Sequence, residues 1–300
     1  MKIKPPRLKE GDRIGIIAPA GPVFQAEIQP GLKFLESFGF EPVCSPHLFE
    51  QSGYLAGEDR TRLKDLHAMF RDRKIRAILC ARGGYGTHRI LKKIDYNLLR
   101  QNPKILVGYS DITALLCALF KKSGMITIHG PVLRDLLKGD GRNAAKLVKL
   151  MTSDELTTVT FPGGTAINKG SVQGVVFGGN LSLICHLIGT PFLPSFKGKL
   201  LFIEEKGEPL YRIDRMLTHL LLSGELEKCA GLMVGTFEEC GDPASVVDLV
   251  RERCSSLNMP ILTGLPVGHG EDNVPLPIGA RAVLDTEAMS LEIKEPCVSM

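Results

Sequence analysis

Long runs of basic residues are missing from this 300-residue sequence. Its 37 Lys and Arg residues exceed its 33 Asp and Glu residues by four, and its pI is about 8.6. Because this surplus is small and dispersed along the chain, it does not indicate a nucleic-acid-binding surface. A composition with 44% hydrophobic and 23% charged residues also excludes disordered and fibrous chains.

An unbroken apolar segment of membrane-spanning length is also lacking. The first apolar stretch, Ile14 to Ala20, contains Pro19, whereas a signal peptide has a longer unbroken apolar region after its basic start. The uncharged stretch from Gly170 to Phe196 contains an Asn, a His and two Pro residues, which is not typical of a transmembrane helix. We therefore predict neither secretion nor membrane insertion.

Closely spaced metal ligands and cysteine pairs are absent as well. The eight cysteines lie far apart without a Cys-x-x-Cys pair, and no His-x-x-x-His pair occurs. This pattern is typical of free thiols in a reducing compartment and offers no metal site. We predict a cytoplasmic protein without a bound metal.

The length of the chain favours two domains over one core. In residues 1–155, apolar strands alternate with helices, which predicts an α/β domain with a parallel sheet covered on both faces. Ligands of such sheets bind at the carboxyl ends of the strands. Residues 156–300 begin with a segment rich in Thr, Gly, Val and Pro, and then mix strands with three helices. We predict a second, strand-rich domain there.

One predicted strand of the first domain leads into the sequence Val-Gly-Tyr-Ser-Asp-Ile-Thr, in which the serine is Ser110. A strand, a sharp turn and a helix starting just after a serine form a nucleophile elbow, whose helix N-terminus offers amide N–H groups to an oxyanion. The usual Gly-x-Ser-x-Gly pattern is not met, because Ile112 occupies the second glycine position. Helix capping by Ser110 or Asp111 is the alternative.

A glycine-rich turn, Arg82-Gly83-Gly84-Tyr85-Gly86, follows the preceding predicted strand. Glycines let the backbone approach a ligand closely and direct its amides into a pocket, as in an oxyanion hole or a phosphate cradle. The spacing differs from the dinucleotide-binding Gly-x-Gly-x-x-Gly, and a simple tight turn is the alternative.

Three residues of the second half and one of the first are further candidates. The apolar strand Leu200–Ile203 ends in Glu204 and Glu205, and a strand-end acid is well placed to orient a histidine, although exposed loop acids look the same. His269 is flanked by glycines on a loop, which favours a general base over a core histidine. His129, before Gly-Pro, is a second histidine that could line a pocket.

Taken together, these segments resemble the LD-carboxypeptidase family of serine peptidases, which also contains microcin-immunity hydrolases. The resemblance covers nearly the whole chain and rests on the segments IGIIAPAGP, ARGGYGTHRIL, VGYSDITALL, FGGNLSLICHLIGTP, LFIEEKGEPLYRIDRMLTHLLLSG and LPVGHGEDNVPLPIGA. It implies an N-terminal flavodoxin-like domain, a C-terminal strand-rich swivelling domain, and a site in the groove between them. It also implies a cytoplasmic homodimer without a cofactor.

The resemblance assigns roles to individual residues. It implies a nucleophile at Ser110, an acid at Glu204, a histidine at His269, and oxyanion donors at the amides of Gly84 and Asp111. Further candidates for substrate binding are Arg82, Tyr109 and Asn180.

The implied substrate is a murein tetrapeptide that loses its C-terminal D-alanine during peptidoglycan recycling. Two alternatives stay open at this point: a hydrolase of peptide or acyl-nucleotide conjugates, and a non-catalytic module that binds a peptide or nucleotide.

Overall fold

Two β-sheets with helices around and between them make up the molecule, and the computed structural model describes residues 2–299. The strands are β1 (Arg13–Ile17), β2 (Glu41–Cys44), β3 (Ile75–Cys80), β4 (Ile105–Gly108), β5 (Thr127–His129), β6 (Thr158–Thr160), β7 (Ala166–Asn168), β8 (Ser171–Asn180), β9 (Lys199–Lys206), β10 (Gly231–Glu238), β11 (Ile261–Thr263), β12 (Leu276–Ile278), β13 (Arg281–Asp285) and β14 (Ser290–Ile293). The α-helices are α1 (Gln25–Ser37), α2 (Asp59–Arg71), α3 (Thr87–Ile90), α4 (Tyr96–Gln101), α5 (Thr113–Ser123), α6 (Arg142–Thr152), α7 (Leu181–Leu187), α8 (Leu210–Leu222) and α9 (Pro243–Cys254).

The first sheet has the strand order β12-β5-β4-β3-β1-β2. Its five N-terminal strands are parallel and follow the flavodoxin-like order 2-1-3-4-5. Strands such as β4 are buried along their whole length, because helices cover both faces of the sheet. The predicted α/β class is confirmed.

The second sheet has the strand order β6-β14-β13-β8-β9-β10-β11-β7. Its central strands β8 to β11 are parallel, and antiparallel strands extend it on both sides. The predicted strand-rich character of the second half is therefore confirmed.

One strand does not follow the predicted division of the chain at residue 155. Strand β12 lies far along the second half but pairs antiparallel with β5 of the first sheet, with Leu276 opposite His129. The segment between β11 and β12 therefore passes from one sheet to the other. The two domain ranges 1–155 and 156–300 remain a prediction, to which β12 is an exception.

Helix α5 lies between the two sheets and is buried from Thr113 to Leu119. It packs against β4 and β5 on one side and against β8 and α7 on the other. Each of its buried leucines contributes about 1.5–3 kcal/mol by leaving water. Burial on both sides makes α5 an apolar connection between the two halves.

The three strands that the sequence predicts before Arg82, before Ser110 and before Glu204 are present as β3, β4 and β9. Helix α1 begins at Gln25, where the Glu27 carboxylate accepts a hydrogen bond from the Phe24 N–H at 2.7 Å. Over residues 2–299, no helix combines the length and the apolar composition needed to cross a membrane.

Candidate active site

Ser110, His269 and Glu204 form a continuous hydrogen-bonded chain. The Nε2 atom of His269 lies 3.0 Å from the Ser110 Oγ, and its Nδ1 atom lies 2.7 Å from the Glu204 Oε2. The Glu204 side chain is fully buried, whereas the His269 side chain is 14% exposed. Because a carboxylate accepts, the proton of a neutral imidazole resides on Nδ1, which leaves Nε2 free to accept from the serine hydroxyl.

The backbone around Ser110 has the shape of a nucleophile elbow. Strand β4 ends at Gly108, and Ser110 has a positive φ of 62° at the start of a 3-10 helix that leads into α5. A β-carbon at Gly108 would lie 2.7 Å from the Ile112 Cγ2, so the turn requires glycine there. This sharp turn places the hydroxyl at the carboxyl end of the sheet, beside the first turn of a helix.

Glu204 is positioned by β9 and enclosed by glycine backbone. A β-carbon at Gly268 would lie 3.0 Å from the Glu204 Cβ and 3.1 Å from its Oε2. Gly268 has a φ of +136°, and it directly precedes His269 in the segment that passes from β11 to β12. The glycines that flank the histidine therefore allow its loop to pack closely on the carboxylate.

The two candidate oxyanion donors lie beside the serine. Gly84 has a φ of +106°, and within residues 2–299 its N–H makes no hydrogen bond to another backbone group. Asp111 lies in the first turn of the 3-10 helix, where backbone N–H groups have no intrahelical partner. The Asp111 side chain has a separate partner, because its carboxylate accepts a hydrogen bond from the Thr87 N–H at 2.8 Å. Burial raises the pKa of this carboxyl group.

The glycine-rich turn is in direct contact with the serine. A β-carbon at Gly83 would lie 2.8 Å from the Ser110 Cβ and 3.0 Å from its Oγ. The Gly83 carbonyl accepts a hydrogen bond from the Gly21 N–H at 2.9 Å, and the Thr87 hydroxyl donates to the Asp111 carbonyl at 2.6 Å. The turns after β1, β3 and β4 are thereby joined into one rigid surface.

Arg82, the first substrate-binding candidate, lines an open cleft next to Gly84. The cleft is bordered by Gly84 and by the aromatic rings of Tyr54 and Tyr85, whose centroids are 5.6 Å apart. The Nη1 atom of Arg82 donates to the Pro22 carbonyl at 2.8 Å, and within residues 2–299 its guanidinium has no carboxylate partner. Its charge is therefore available to an anion in the cleft.

Tyr109 and Asn180, the other two candidates, have internal partners. The Tyr109 hydroxyl donates to the Asp135 Oδ2 at 2.6 Å, and its ring centroid lies 4.9 Å from that of His269. The Asn180 side chain caps α7 by accepting from the Leu183 N–H at 3.2 Å, and it donates to the Glu205 Oε1 at 2.7 Å. Because Asn180 is buried and both polar atoms of its side chain are engaged, its position argues against the predicted contact with substrate.

His129 lies behind the hydrogen-bonded chain rather than in the cleft. Its ring is fully buried, 5.0 Å from the Phe202 ring centroid, and burial lowers its pKa to about 4. Within residues 2–299, neither ring nitrogen has a hydrogen-bond partner, and the same is true of the Glu204 Oε1 and the Asn273 Nδ2. Ordered water commonly satisfies buried polar atoms of this kind.

Two residues that the sequence did not indicate hold the histidine loop against the first half of the chain. The Lys138 ammonium donates to the His269 carbonyl at 2.6 Å, and the Asn143 Nδ2 donates to the Asp272 Oδ1 at 3.2 Å. A lone lysine or asparagine carries no sequence signal for such a contact, because the partners are more than 125 positions away.

The other titratable side chains do not assemble into a metal centre. Across the described chain, no group of three His, Cys, Asp or Glu side chains is arranged to hold a metal ion. His88 and His186 come together with ring centroids 6.2 Å apart, but as a pair.

Two protein-family models match the chain. Residues 14–130 match the LD-carboxypeptidase N-terminal domain, and residues 173–284 match the LD-carboxypeptidase C-terminal domain. The chain belongs to the LD-carboxypeptidase family. The resemblance seen in the sequence is thereby confirmed.

Individual relatives are similar over almost their whole length. A probable murein peptide carboxypeptidase of Bacillus subtilis is 39% identical, over 95% of this chain and 92% of the relative. Among solved structures, a muramoyltetrapeptide carboxypeptidase from Oxalobacter formigenes has 31% identity and a TM-score of 0.83, covering 94% of this chain and 98% of its own. An MccF-like protein from Bacillus anthracis has 28% identity and a TM-score of 0.90, covering 97% and 99%. The two relatives that are named carboxypeptidases, together with the family, support carboxypeptidase activity and make this chain a peptide hydrolase.

Proposed function

We propose that this LD-carboxypeptidase is a serine peptidase that releases the C-terminal D-alanine of murein tetrapeptides in peptidoglycan recycling. The observation that carries the serine mechanism is the hydrogen-bonded chain from Ser110 through His269 to Glu204, contributed by both halves of the molecule. The substrate class is inferred from the names of the Bacillus and Oxalobacter relatives.

In the proposed mechanism, the Ser110 Oγ attacks the carbonyl carbon of the L-residue joined to the terminal D-amino acid. His269 accepts the hydroxyl proton at Nε2 and then donates it to the leaving amine. Glu204 fixes the tautomer of the imidazole and stabilises the imidazolium. A water molecule, activated by the same histidine, then hydrolyses the ester of Ser110 and releases the shortened peptide.

The developing oxyanion would be stabilised by the N–H groups of Gly84 and Asp111. Their positions beside Ser110, on a turn held by Thr87, support this role. Each such donor contributes a few kcal/mol in comparable sites. The free carboxylate of the substrate would pair with Arg82, whose planar guanidinium matches a carboxylate and faces the cleft.

The decisive experiment is incubation of the purified protein with a murein tetrapeptide, followed by mass spectrometry. We expect the loss of one alanine residue from the C-terminus. Ser110→Ala and His269→Ala should each reduce kcat by several orders of magnitude, and the double variant should lose little more, because the groups act as a unit. Ser37→Ala, on an exposed helix face, is the matched control. Near-normal turnover by Ser110→Ala would identify another nucleophile.

A second candidate function is hydrolysis of peptide or acyl-nucleotide conjugates. It is favoured by the structural similarity to the MccF-like protein, since MccF is named as the microcin C7 self-immunity protein of Escherichia coli. The two functions differ in their need for a free carboxylate. We expect amidation of the tetrapeptide C-terminus to reduce kcat/KM roughly a hundredfold. Equal cleavage of the free acid and the amide would favour the conjugate hydrolase.

The proposal includes two properties of the protein in the cell, a homodimeric state and a cytoplasmic location. The first is tested by light scattering of the purified protein, where a monomeric mass at micromolar concentration would contradict it. The second is tested by fractionation of cells, where recovery outside the cytoplasm would contradict it.

A further inference from the structure

A cavity at the end of α5 farthest from Ser110 is lined by basic side chains. It is open to solvent and has a volume of about 430 Å³, and five of its lining residues are cationic: Lys2, Arg100, Lys121, Lys122 and Lys199. Among the described residues, no carboxylate lines it. An isolated basic residue is ordinary on a surface, but five around one cavity concentrate positive potential.

The protein supplies little negative charge to balance this cluster. In residues 2–299, Lys2 is the one member with a carboxylate within 4 Å, and that carboxylate, Glu295, is shared with Lys4 at 3.3 Å and Arg281 at 3.7 Å. The C-terminal end of α5 contributes the equivalent of about half a negative charge. Most of the positive charge is therefore left unpaired.

Aromatic rings hold two of these lysines in place. The Lys199 ammonium lies 5.7 Å from the centroid of Phe120, and the Lys122 ammonium lies 5.5 Å from that of Phe192. Burial lowers the pKa of Lys199, and the charges of Lys2 and Lys121 lower it further. The like charges are thus close enough to repel one another, and a bound anion would relieve that repulsion.

We propose that this cavity binds a small multivalent oxyanion of the phosphate type. Ammonium and guanidinium groups are the donors that bind phosphate oxygens most strongly. The volume of about 430 Å³ is ample for one or two phosphate groups. An anion held between Lys121 of α5 and Lys199 of β9 would bridge the two halves of the chain.

This cavity is separate from the candidate active site. Ser110 lies just before the first residue of α5, and Lys121 lies in its last turn, about 12–16 Å along the helix. Along β9, Lys199 is the first residue and Glu204 is the sixth. The anion site and the catalytic residues therefore occupy opposite ends of the same two elements.

Isothermal titration calorimetry with inorganic pyrophosphate tests the proposal. We expect saturable binding to the wild-type protein that weakens as the salt concentration rises. Lys199→Met and Lys121→Met should each weaken it about tenfold, whereas Lys199→Arg should retain it. Lys64→Met, an exposed lysine on α2, is the matched control and should leave the affinity unchanged.

Two results would overturn the proposal. One is the lack of saturable binding at millimolar pyrophosphate, and the other is equal weakening by Lys64→Met and Lys121→Met, which would indicate a diffuse charge effect. Lys121 is exposed, so its variant remains informative if Lys199→Met fails to fold. A parallel titration with ADP distinguishes a free oxyanion from one that is linked to a nucleoside. If ADP binds and its binding depends on Lys121, the proposed site is supported and its ligand is a nucleotide.

Discussion

At the scale of single residues, Ser110 has the least favourable backbone conformation among the candidate catalytic residues. Its φ of 62° lies in the left-handed region, which costs a non-glycine residue on the order of 1–3 kcal/mol. The hydrogen bond from the Ile112 N–H to the Tyr109 carbonyl, 3.2 Å long, closes the turn around it. The surrounding structure therefore holds the serine in a position that the isolated chain would avoid.

The close approach of Gly83 to Ser110 gives a first prediction. In Gly83→Ala, the new β-carbon would stand 3.0 Å from the Ser110 Oγ and displace it from His269. We expect kcat to fall about a hundredfold on murein tetrapeptide, since misplacement of a reacting group by about 1 Å has that effect. Gly231→Ala is the control, because its β-carbon would meet mainly flexible leucine side chains. Equal activity of the two variants would show that Gly83 does not constrain the serine.

The buried His129 gives a prediction about pH. Its pKa is lowered from 6.5 to about 4, so between these values the unfolded chain binds a proton that the folded protein does not. Proton binding to the unfolded chain therefore lowers the free energy of unfolding as the pH falls from 6.5 towards 4, by roughly 3 kcal/mol in total. Above pH 6.5 this loss of stability is absent. We expect His129→Phe to show a shallower loss of unfolding free energy over this window than the wild type, measured by urea denaturation.

The control for that measurement is His219→Asn, which alters an exposed histidine on α8. It should keep the wild-type dependence on pH. If His129→Phe and the wild type have the same slope between pH 6.5 and 4, another group is responsible for the acid sensitivity.

At the scale of elements, β9 separates two adjacent carboxylates by the alternation of a strand. Glu204 points towards His269, whereas Glu205 points to the other face and accepts from the Ser182 N–H at 2.8 Å and from its hydroxyl at 2.7 Å. Burial raises the pKa of Glu205, although these hydrogen bonds oppose the shift. Glu204 therefore serves the candidate site, whereas Glu205 anchors α7.

This alternation predicts opposite effects for two neighbouring substitutions. Glu204→Gln should reduce kcat by a factor on the order of 10³–10⁴, because the amide favours the wrong imidazole tautomer, and should leave the fold intact. Glu205→Gln should lower the free energy of unfolding by about 1–3 kcal/mol and leave kcat near that of the wild type. Steady-state kinetics and thermal denaturation of both variants check this. Loss of activity in a folded Glu205→Gln would contradict the division of roles.

The elements that the sequence predicts well are those with a sustained apolar pattern. Strand β3 and helix α2 follow from such patterns, because burial on one or both faces repeats along the segment. Strands β5, β11 and β12 have three residues each, too short for any period to be visible. The pairing of β12 with the first sheet depends on a contact between positions almost 150 apart, which no local pattern encodes.

Prediction of the candidate site is limited in the same way, because contacts between distant positions leave no local pattern in the sequence. Glycines and strand ends indicated Ser110, Glu204 and His269, since the local chain has to be unusual at such positions. The buried partners of Asn180 could not be foreseen, because its side chain meets Glu205 only after β8 and β9 pair. The contact of Lys138 with the histidine loop likewise exists only in the folded molecule.

At the scale of the whole molecule, the candidate site exists only where the two halves meet. Ser110 follows a strand of the first sheet, Glu204 lies on the second sheet, and His269 lies on the segment that joins them. The Lys138 ammonium holds that segment to the first half through the His269 carbonyl. Relative movement of the halves would therefore separate the reacting groups.

This contact predicts a positioning role for Lys138. We expect Lys138→Met to lower kcat roughly tenfold with little change in KM, because the histidine is misplaced while the cleft around Arg82 is retained. Lys138→Arg should restore most of the activity, and Lys146→Met, an exposed lysine on α6, should not alter it. A rise in KM without a change in kcat would indicate a role in binding instead.

The insertion of β12 into the first sheet has a consequence for how the protein is made. A ribosome delivers residues 13–129 long before Leu276, so until then β5 is an edge strand with unpaired backbone groups, open to pairing with other chains. His269 reaches Ser110 on the segment that immediately precedes this closing strand. The nascent chain thus acquires its catalytic base and loses its exposed edge in nearly the same step, late in translation.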